Sequence, residues 1–274
     1  DAMAERNKNG IFGYTSRPDS YFESVRDWQV KRNGWTFDTA LASFCPGVVP
    51  ALSAIIDRFS GEGDAVLFLT PVYSEFFSVT RTCGRTPLTV PLLEKAGGAV
   101  DIDFDAFEKA LQKKPSLFIL CHPHNPLGRV WKKSELQKIA ELCIRYKVPV
   151  ISDEIHSDLM LWGNKHIPFA SVSPEAASCT ITCTSATKTF NLAGLQASTI
   201  IFPDKAAKEK FDAFWHRIDV HRNNCFSVVA VEAAFRHGEE WLEQVLHYIE
   251  ANMKYVKEYI DTNIPLIKTY IPES

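Results

Sequence analysis

Lys188 is the residue whose surroundings first indicate chemistry. It lies in a run of small and hydroxyl-bearing residues, Thr184 to Thr189, directly after the strand-like segment Cys179 to Cys183, and Asn191 and Gly194 follow as turn signals. Ligands of open α/β sheets bind at the carboxyl ends of the strands. We expect a lysine there to be partly desolvated, to lose its preference for the charged form and to attack an aldehyde. The alternative is a solvated loop lysine, the usual state of a lone lysine.

Two other predicted strands are followed by side chains that suit the same chemistry. Asn125 lies after the strand Leu117 to Cys121, and Asp153 and His156 follow the strand Val148 to Ser152. The three strand ends offer an amine, an amide, and a carboxylate with an imidazole. An electron-sink cofactor such as pyridoxal phosphate needs an amine for its aldehyde, a carboxylate that keeps its pyridine nitrogen protonated, and a donor to its ring oxygen.

The same cofactor needs a phosphate site and a flat surface against its ring. Val48 and Val49, at a predicted helix N-terminus, offer backbone N–H groups and the positive end of the helix dipole, and Ser185 offers a hydroxyl. Tyr73, just past the strand-like segment Ala65 to Leu69, is placed to cover the ring. Each feature alone has a plainer interpretation, namely helix packing for the valines and a half-buried core position for the tyrosine.

Five ordered segments resemble motifs of one enzyme superfamily. They are similar to those of the fold-type I pyridoxal-phosphate enzymes, the aminotransferase class I/II superfamily. More narrowly, they resemble the cystathionine β-lyase (MalY/PatB and cystalysin-like) group of carbon–sulfur lyases, along nearly the whole chain. The segments are Gly47-Val48-Val49-Pro50, Thr70-Pro71-Val72-Tyr73, His124-Asn125-Pro126-Leu127-Gly128-Arg129-Val130-Trp131, Ser152-Asp153-Glu154-Ile155-His156 and Lys188-Thr189-Phe190-Asn191-Leu192-Ala193-Gly194.

The resemblance implies a role for each residue near the cofactor ring. Lys188 binds the cofactor aldehyde covalently and later takes the α-proton of the substrate, and Asp153 pairs with the pyridine nitrogen. Asn125 binds the ring hydroxyl. Tyr73 stacks on the ring and is counted with Lys188 as a catalytic residue. His156 occupies the place where many aminotransferases have a tyrosine near the ring oxygen.

The resemblance also implies how the phosphate is held and how the chain assembles. Backbone groups of Val48 and Val49, together with Ser185, bind the phosphate. Tyr14, in the turn Phe12-Gly13-Tyr14, resembles the tyrosine that reaches the phosphate of the neighbouring subunit. The implied assembly is therefore a homodimer in which Tyr14 completes the neighbouring site.

Two departures from the family pattern bear on the reaction. Aminotransferases of the aspartate type usually carry an arginine eight residues after the lysine, whereas this chain has Gln196, which favours the lyase branch. Relatives begin before Asp1 and continue past Ser274 into a small C-terminal domain with the arginine that grips the substrate carboxylate. We therefore expect this chain to lack parts at both ends, that arginine included.

The reaction implied by the resemblance is a pyridoxal-phosphate-dependent β-lyase reaction. It would cleave cystathionine or cysteine S-conjugates, which are small amino-acid substrates, to a thiol, pyruvate and ammonia. Two alternatives stay open. A class I/II aminotransferase shares the steps up to loss of the α-proton, and a pyridoxal-phosphate-binding module that regulates a partner would show no turnover.

Helix-like and strand-like segments alternate along most of the chain, which predicts the fold class. Apolar strands separated by amphipathic helices are typical of a mainly parallel sheet with helices on both faces. We expect a three-layer α/β/α large domain, as in pyridoxal-phosphate-dependent transferases, over residues 1–238. Helical spacing from Trp241 to Ile260 predicts a long helix, so residues 239–274 are expected to lead toward a small C-terminal domain.

Composition argues against several classes of partner. The 274 residues are 46% hydrophobic and 23% charged with a formal net charge of −3, which disfavours nucleic-acid binding. The apolar runs are far shorter than the roughly 20 residues that cross a bilayer. Seven scattered cysteines indicate a reducing compartment, and the segment Asp1 to Arg6 lacks a signal-peptide pattern. These features predict a cytoplasmic location.

Two other interpretations of the motifs are disfavoured. Asp153-Glu154-Ile155-His156 also matches a helicase-type motif, but the sequence has no GxxxxGK[ST] phosphate loop. His122, His124 and His156 suggest a metal site at first sight. Prolines are interleaved with the first pair, however, and no C-x-x-C or helical partner pattern accompanies them. No metal is therefore predicted.

Overall fold

The computed structural model describes residues 1–95 and 98–274. Nine strands lie in those residues: β1 (Ala42–Cys45), β2 (Ala65–Thr70), β3 (Thr86–Pro91), β4 (Leu93–Glu94), β5 (Val100–Asp101), β6 (Leu117–Cys121), β7 (Val150–Asp153), β8 (Thr180–Thr184) and β9 (Ser198–Ile201). Seven of them form one sheet in the order β1-β9-β8-β7-β6-β2-β3, and β4 pairs with β5.

Eleven α-helices lie in the described part of the chain: α1 (Ala2–Lys8), α2 (Asp19–Asn33), α3 (Val48–Phe59), α4 (Glu75–Thr82), α5 (Phe104–Gln112), α6 (Lys133–Tyr146), α7 (Pro174–Ser178), α8 (Ala186–Thr189), α9 (Lys205–Arg217), α10 (Cys225–His237) and α11 (Glu239–Asn263). Among these described helices, none has the length and apolar character needed to cross a membrane.

The direction of the strands decides where the chain can build a site. The sheet is parallel from β3 through β2, β6 and β7 to β8. β9 runs antiparallel to both β8 and β1, so β1 points the same way as β8. The predicted mainly parallel α/β sheet is confirmed. The reversal of β9 was not predicted, because its apolar residues are typical of either direction.

Apolar residues on both faces of the sheet explain its position between two helix layers. Phe68 and Ile119 join a core cluster on one face with Ile55 of α3. Their neighbours along the strands, Leu67 and Phe118, join a second cluster on the opposite face. Successive strand residues point to opposite faces, so a strand that is apolar throughout packs against helices on both sides. Each fully buried Phe or Leu of this kind contributes roughly 1.5–3 kcal/mol.

The predicted elements agree with the structure except at some boundaries. The helix α4 begins at Glu75, so Tyr73 lies in the connection between β2 and this helix. The strand β1 was not predicted. The long helix is confirmed as α11, whose first half is anchored by the buried Leu242 and Leu246. The division of the chain at residue 238 stays a prediction.

Gly238, between α10 and α11, offers a test of this packing. A Cβ added there would meet the Ala234 carbonyl oxygen at 2.5 Å and lie closer still to the Phe190 ring, which follows the Lys188 helix α8. We expect Gly238→Ala to lower the free energy of unfolding by about 1–3 kcal/mol through overpacking. Chemical denaturation measures this. The control is Gly194→Ala, where nothing lies within 4 Å of the added Cβ; equal loss in both variants would contradict the packing argument.

Candidate active site

The carboxyl ends of the parallel strands meet at one edge of the sheet and line a cavity of about 330 Å³. Seven of the nine site residues predicted from the sequence line this cavity. They lie at the end of β7 or in the segments that directly follow β1, β2, β6, β7 and β8. The seven are Val48, Val49, Tyr73, Asn125, Asp153, His156 and Lys188.

Lys188 lies in the short helix α8, one turn after β8 ends. The N-cap of this helix is Ser185, whose Oγ accepts a hydrogen bond from the Thr187 N–H at 3.1 Å. Thr187 and Thr189 are buried while Lys188 is exposed and lines the cavity. The structure thus places Lys188 at the cavity, and its partial desolvation stays a prediction. The α8 turn buries Thr187 and Thr189 and leaves the Lys188 amine accessible to a ligand.

Asp153 ends β7 and is only 6% exposed. Its Oδ1 accepts a hydrogen bond from the Ile155 N–H at 3.2 Å. Burial raises the pKa of the Asp153 carboxyl to about 7, in spite of this hydrogen bond and of the Lys188 charge, which both favour the ionised form; the neighbouring Glu154 adds to the rise. A buried carboxylate that is poorly paired by the protein is suited to pair with a cationic group of a ligand.

Asn125 and Tyr73 are held by two loops that are tied together. The Asn125 N–H donates to the Cys121 Sγ at 3.3 Å, which turns the chain sharply after β6. The His124 Nε2 donates to the Pro71 carbonyl oxygen at 2.8 Å and so joins this loop to that of Tyr73. The Tyr73 ring is 39% exposed at the cavity. Burial is the main cause that raises the pKa of the Tyr73 hydroxyl, and the negative charges of Glu75 and Asp153 add to the rise. The ring therefore stays neutral.

Val48 and Val49 begin α3 after Gly47, whose backbone is extended and which offers no side-chain cap. The first N–H groups of a helix have no acceptor within the helix. These two amides therefore present donors and the positive end of the α3 dipole to the cavity, as the sequence predicts for an anion site.

Ser185 and Tyr14 are the two predicted residues that do not line the cavity. The Ser185 Oγ donates to the Ala197 carbonyl oxygen at 2.6 Å and lies 2.8 Å from the Thr187 hydroxyl, so it is engaged in holding α8. The Tyr14 ring is 94% exposed and has the Arg222 guanidinium 5.2 Å from its centroid. A phosphate role for either residue stays a prediction.

His156 lines the cavity as predicted. Burial is the main cause that lowers its pKa, and the Lys188 charge adds to the effect.

Two further residues of the cavity, Gln196 and Ser198, were not assigned to the site by sequence reasoning. Both join His156 from the start of β9, because β9 runs antiparallel and begins at the edge where the other strands end. The Ser198 hydroxyl is buried with no partner among the described residues. No local pattern marks Ser198, since its position depends on the direction of β9.

Comparisons with known proteins agree with this geometry. Residues 4–268 match the family model Aminotransferase class I and II. The chain is 46% identical over 254 residues to cystathionine β-lyase PatB of Bacillus subtilis (strain 168). This alignment covers 92% of this chain and 65% of PatB. The chain thus spans less than two thirds of the length of that relative.

Solved structures give the same result. A pyridoxal-phosphate-bound protein of Clostridium difficile 630 has a TM-score of 0.98 and 44% identity, over 100% of this chain and 70% of that one. Cystalysin from Treponema denticola, which contains pyridoxal 5'-phosphate, has a TM-score of 0.96 and 34% identity, over 99% of this chain and 69% of that one. With its fold, its cavity and 265 consecutive positions matched to the family model, the chain belongs to the aminotransferase class I and II family.

Proposed function

We propose that the protein is a pyridoxal-phosphate-dependent carbon–sulfur β-lyase that cleaves cystathionine or cysteine S-conjugates to a thiol, pyruvate and ammonia. The observation that carries the proposal is the convergence of Lys188, Asp153 and Asn125 on one cavity in a chain 46% identical to a cystathionine β-lyase. Gln196, where aspartate-type aminotransferases usually have an arginine, supports the lyase branch.

The residues of the cavity fit this cofactor group by group. Lys188 supplies an accessible primary amine for the aldehyde, and Asp153 supplies a buried carboxylate for the pyridine nitrogen. Asn125 supplies an amide for the ring oxygen. The free N–H groups of Val48 and Val49 at the start of α3 suit a phosphate. Each chemical group of the cofactor thus has a matching residue in the same cavity.

The roles of the residues follow from their chemistry. When bound, pyridoxal phosphate withdraws electrons from the substrate α-carbon and weakens its C–H bond. Lys188 Nζ would then accept the proton that the α-carbon releases. Asp153 would hold the proton on the pyridine nitrogen, and the Tyr73 ring would cover the ring face and exclude water from it. The C–S bond of the substrate breaks, and the thiol, pyruvate and ammonia leave after addition of one water.

Product analysis tests the proposal against its alternatives. We expect the purified protein, supplied with pyridoxal phosphate and cystathionine, to form pyruvate and thiol in equal amounts without a keto acid. Pyruvate is measured with a coupled dehydrogenase and the thiol with a chromogenic disulfide. Product formation that depends strictly on a keto-acid acceptor would assign the protein to the aminotransferases. Cofactor binding without any turnover, also in a protein that carries the C-terminal domain expected from the family resemblance, would assign it to the regulatory modules.

The proposal extends to assembly and location. A homodimer in which Tyr14 reaches the phosphate of the neighbouring site is supported by the exposure of Tyr14 and of Ile11 and Phe12 before it. A cytoplasmic location is supported by seven free cysteines. Analytical ultracentrifugation tests the dimer, and loss of cofactor affinity in Tyr14→Phe tests the role of its hydroxyl.

A further inference from the structure

A buried polar cluster lies next to Asp153, and the proposed reaction does not use it. It consists of Glu154, His166 and His122, which are 1%, 4% and 0% exposed. None of the three lines the cavity described above. Glu154 follows Asp153 directly, and His122 lies three residues before Asn125. The cluster therefore touches both strand ends that carry ring-binding residues.

The buried Glu154 carboxylate has three hydrogen-bonding partners. Its Oε1 accepts hydrogen bonds from the Ser152 hydroxyl at 2.8 Å and from the Phe169 N–H at 2.9 Å. Its Oε2 lies 2.8 Å from the His166 Nε2. A buried carboxylate costs several kcal/mol unless such donors compensate it, so the three bonds fix its position.

The two histidines continue this set of contacts toward Asn125. The His166 and His122 rings stack with centroids 4.5 Å apart. The His122 Nε2 donates to the Ile167 carbonyl oxygen at 3.0 Å, and its backbone N–H donates to the Asp153 carbonyl oxygen at 2.9 Å. Burial lowers the pKa of His122 well below its usual range, so this ring is neutral. The contacts form a closed circuit from Asp153 through Glu154, His166 and His122 back to Asp153.

We propose that Glu154, His166 and His122 form a positioning network that holds the strand end carrying Asp153 against the loop carrying Asn125. The inference rests on the proposed function, because the two held side chains are those assigned to the pyridine nitrogen and to the ring hydroxyl of the cofactor. A ring held at two points needs both partners at a fixed separation, and small displacements of supporting groups are expensive in such sites. Glu154 acts through Asp153 and is a positioning residue.

A double-mutant cycle with pyridoxal phosphate as the probe separates positioning from general support. We expect Glu154→Gln to weaken cofactor binding about tenfold in the otherwise unchanged protein and less than about threefold in Asp153→Asn, because interacting residues are not additive. The dissociation constant is measured by absorbance titration. The matched control is Asp212→Asn, a carboxylate that binds Ser43 and Lys208 at 2.6 Å each on β1 and α9. It should change the melting temperature and leave cofactor affinity within about twofold.

Equal loss of affinity in both backgrounds would overturn the proposal, as would unchanged affinity in Glu154→Gln. If Glu154→Gln does not fold, His166→Gln and His166→Leu replace it. Glutamine keeps an N–H donor for Glu154 and should keep the affinity, whereas leucine should lose it. Equal affinity of these two variants would likewise overturn the network.

Amide hydrogen exchange keeps the network testable without the cofactor. Glu154→Gln should speed exchange of the His122 and Asn125 amides about tenfold through local opening, and Asp212→Asn should not. A protein that binds no pyridoxal phosphate would refute the proposed function, while this exchange result would still decide on the network. Unchanged exchange at both amides would reject it.

Discussion

Replacing Lys188 with alanine should abolish turnover and the visible absorbance of bound pyridoxal phosphate. Lys188 is the lysine among the residues that line the cavity, and it is proposed both to bind the aldehyde and to accept the α-proton. Loss of a positioned base alone costs roughly 10²–10⁴ in rate, and loss of the nucleophile adds to it. We therefore expect kcat to fall at least about a thousandfold.

The absorbance is recorded on dialysed protein, and turnover is recorded as pyruvate from cystathionine. A suitable control is Lys205→Ala, which removes an exposed lysine paired with Glu209 at 3.5 Å on α9 and should change neither quantity. Persistent visible absorbance in Lys188→Ala after dialysis would refute the assignment of the lysine.

Asp153→Asn should have opposite effects on activity and on the stability of the cofactor-free protein. Loss of the partner of the pyridine nitrogen removes a preorganised charge and should lower kcat roughly a hundredfold to a thousandfold. The carboxyl is buried, however, and its pKa in the folded chain is about 7 against an ordinary 3.8. The unfolded chain thus loses this proton at lower pH than the folded chain does.

The sign of the pH effect follows from that difference. Below about pH 4 the carboxyl is protonated in both states and contributes nothing. As the pH rises from about 4 to 7, only the unfolded state ionises, so the free energy of unfolding falls, by at most about 4 kcal/mol. Above about pH 7 the loss is constant. The uncharged amide that replaces the carboxyl in Asp153→Asn would show no such fall.

We therefore expect cofactor-free Asp153→Asn to match the unchanged chain in stability at about pH 4 and to exceed it at about pH 8. Urea denaturation at the two pH values measures this, and Asp212→Asn serves again as the control with a carboxylate on a different element. Greater stability of the unchanged chain at the higher pH would show that Asp153 is well compensated within the protein. With pyridoxal phosphate bound the order should reverse, because ligand binding stabilises the state it binds.

Much of the site was readable in the sequence because its residues belong to short local motifs. Lys188, Asp153 and Asn125 each follow a predicted strand within a few residues, and strand ends can be located from apolar runs bounded by turn residues. The N–H groups of Val48 and Val49 were predicted for the same reason, since a helix start is a local feature. The family resemblance rests on these same motifs.

Tertiary structure alone decided how the motifs meet. The parallel pairing of β2, β6, β7 and β8 brings their ends to one edge, and the reversal of β9 adds Gln196 and Ser198 there. The exposure of Lys188 also depends on packing around α8. The Glu154–His166 contact joins residues twelve positions apart through an irregular segment. Apolar patterns fix which residues are buried, but pairings between distant segments depend on the whole core, and no local pattern encodes them.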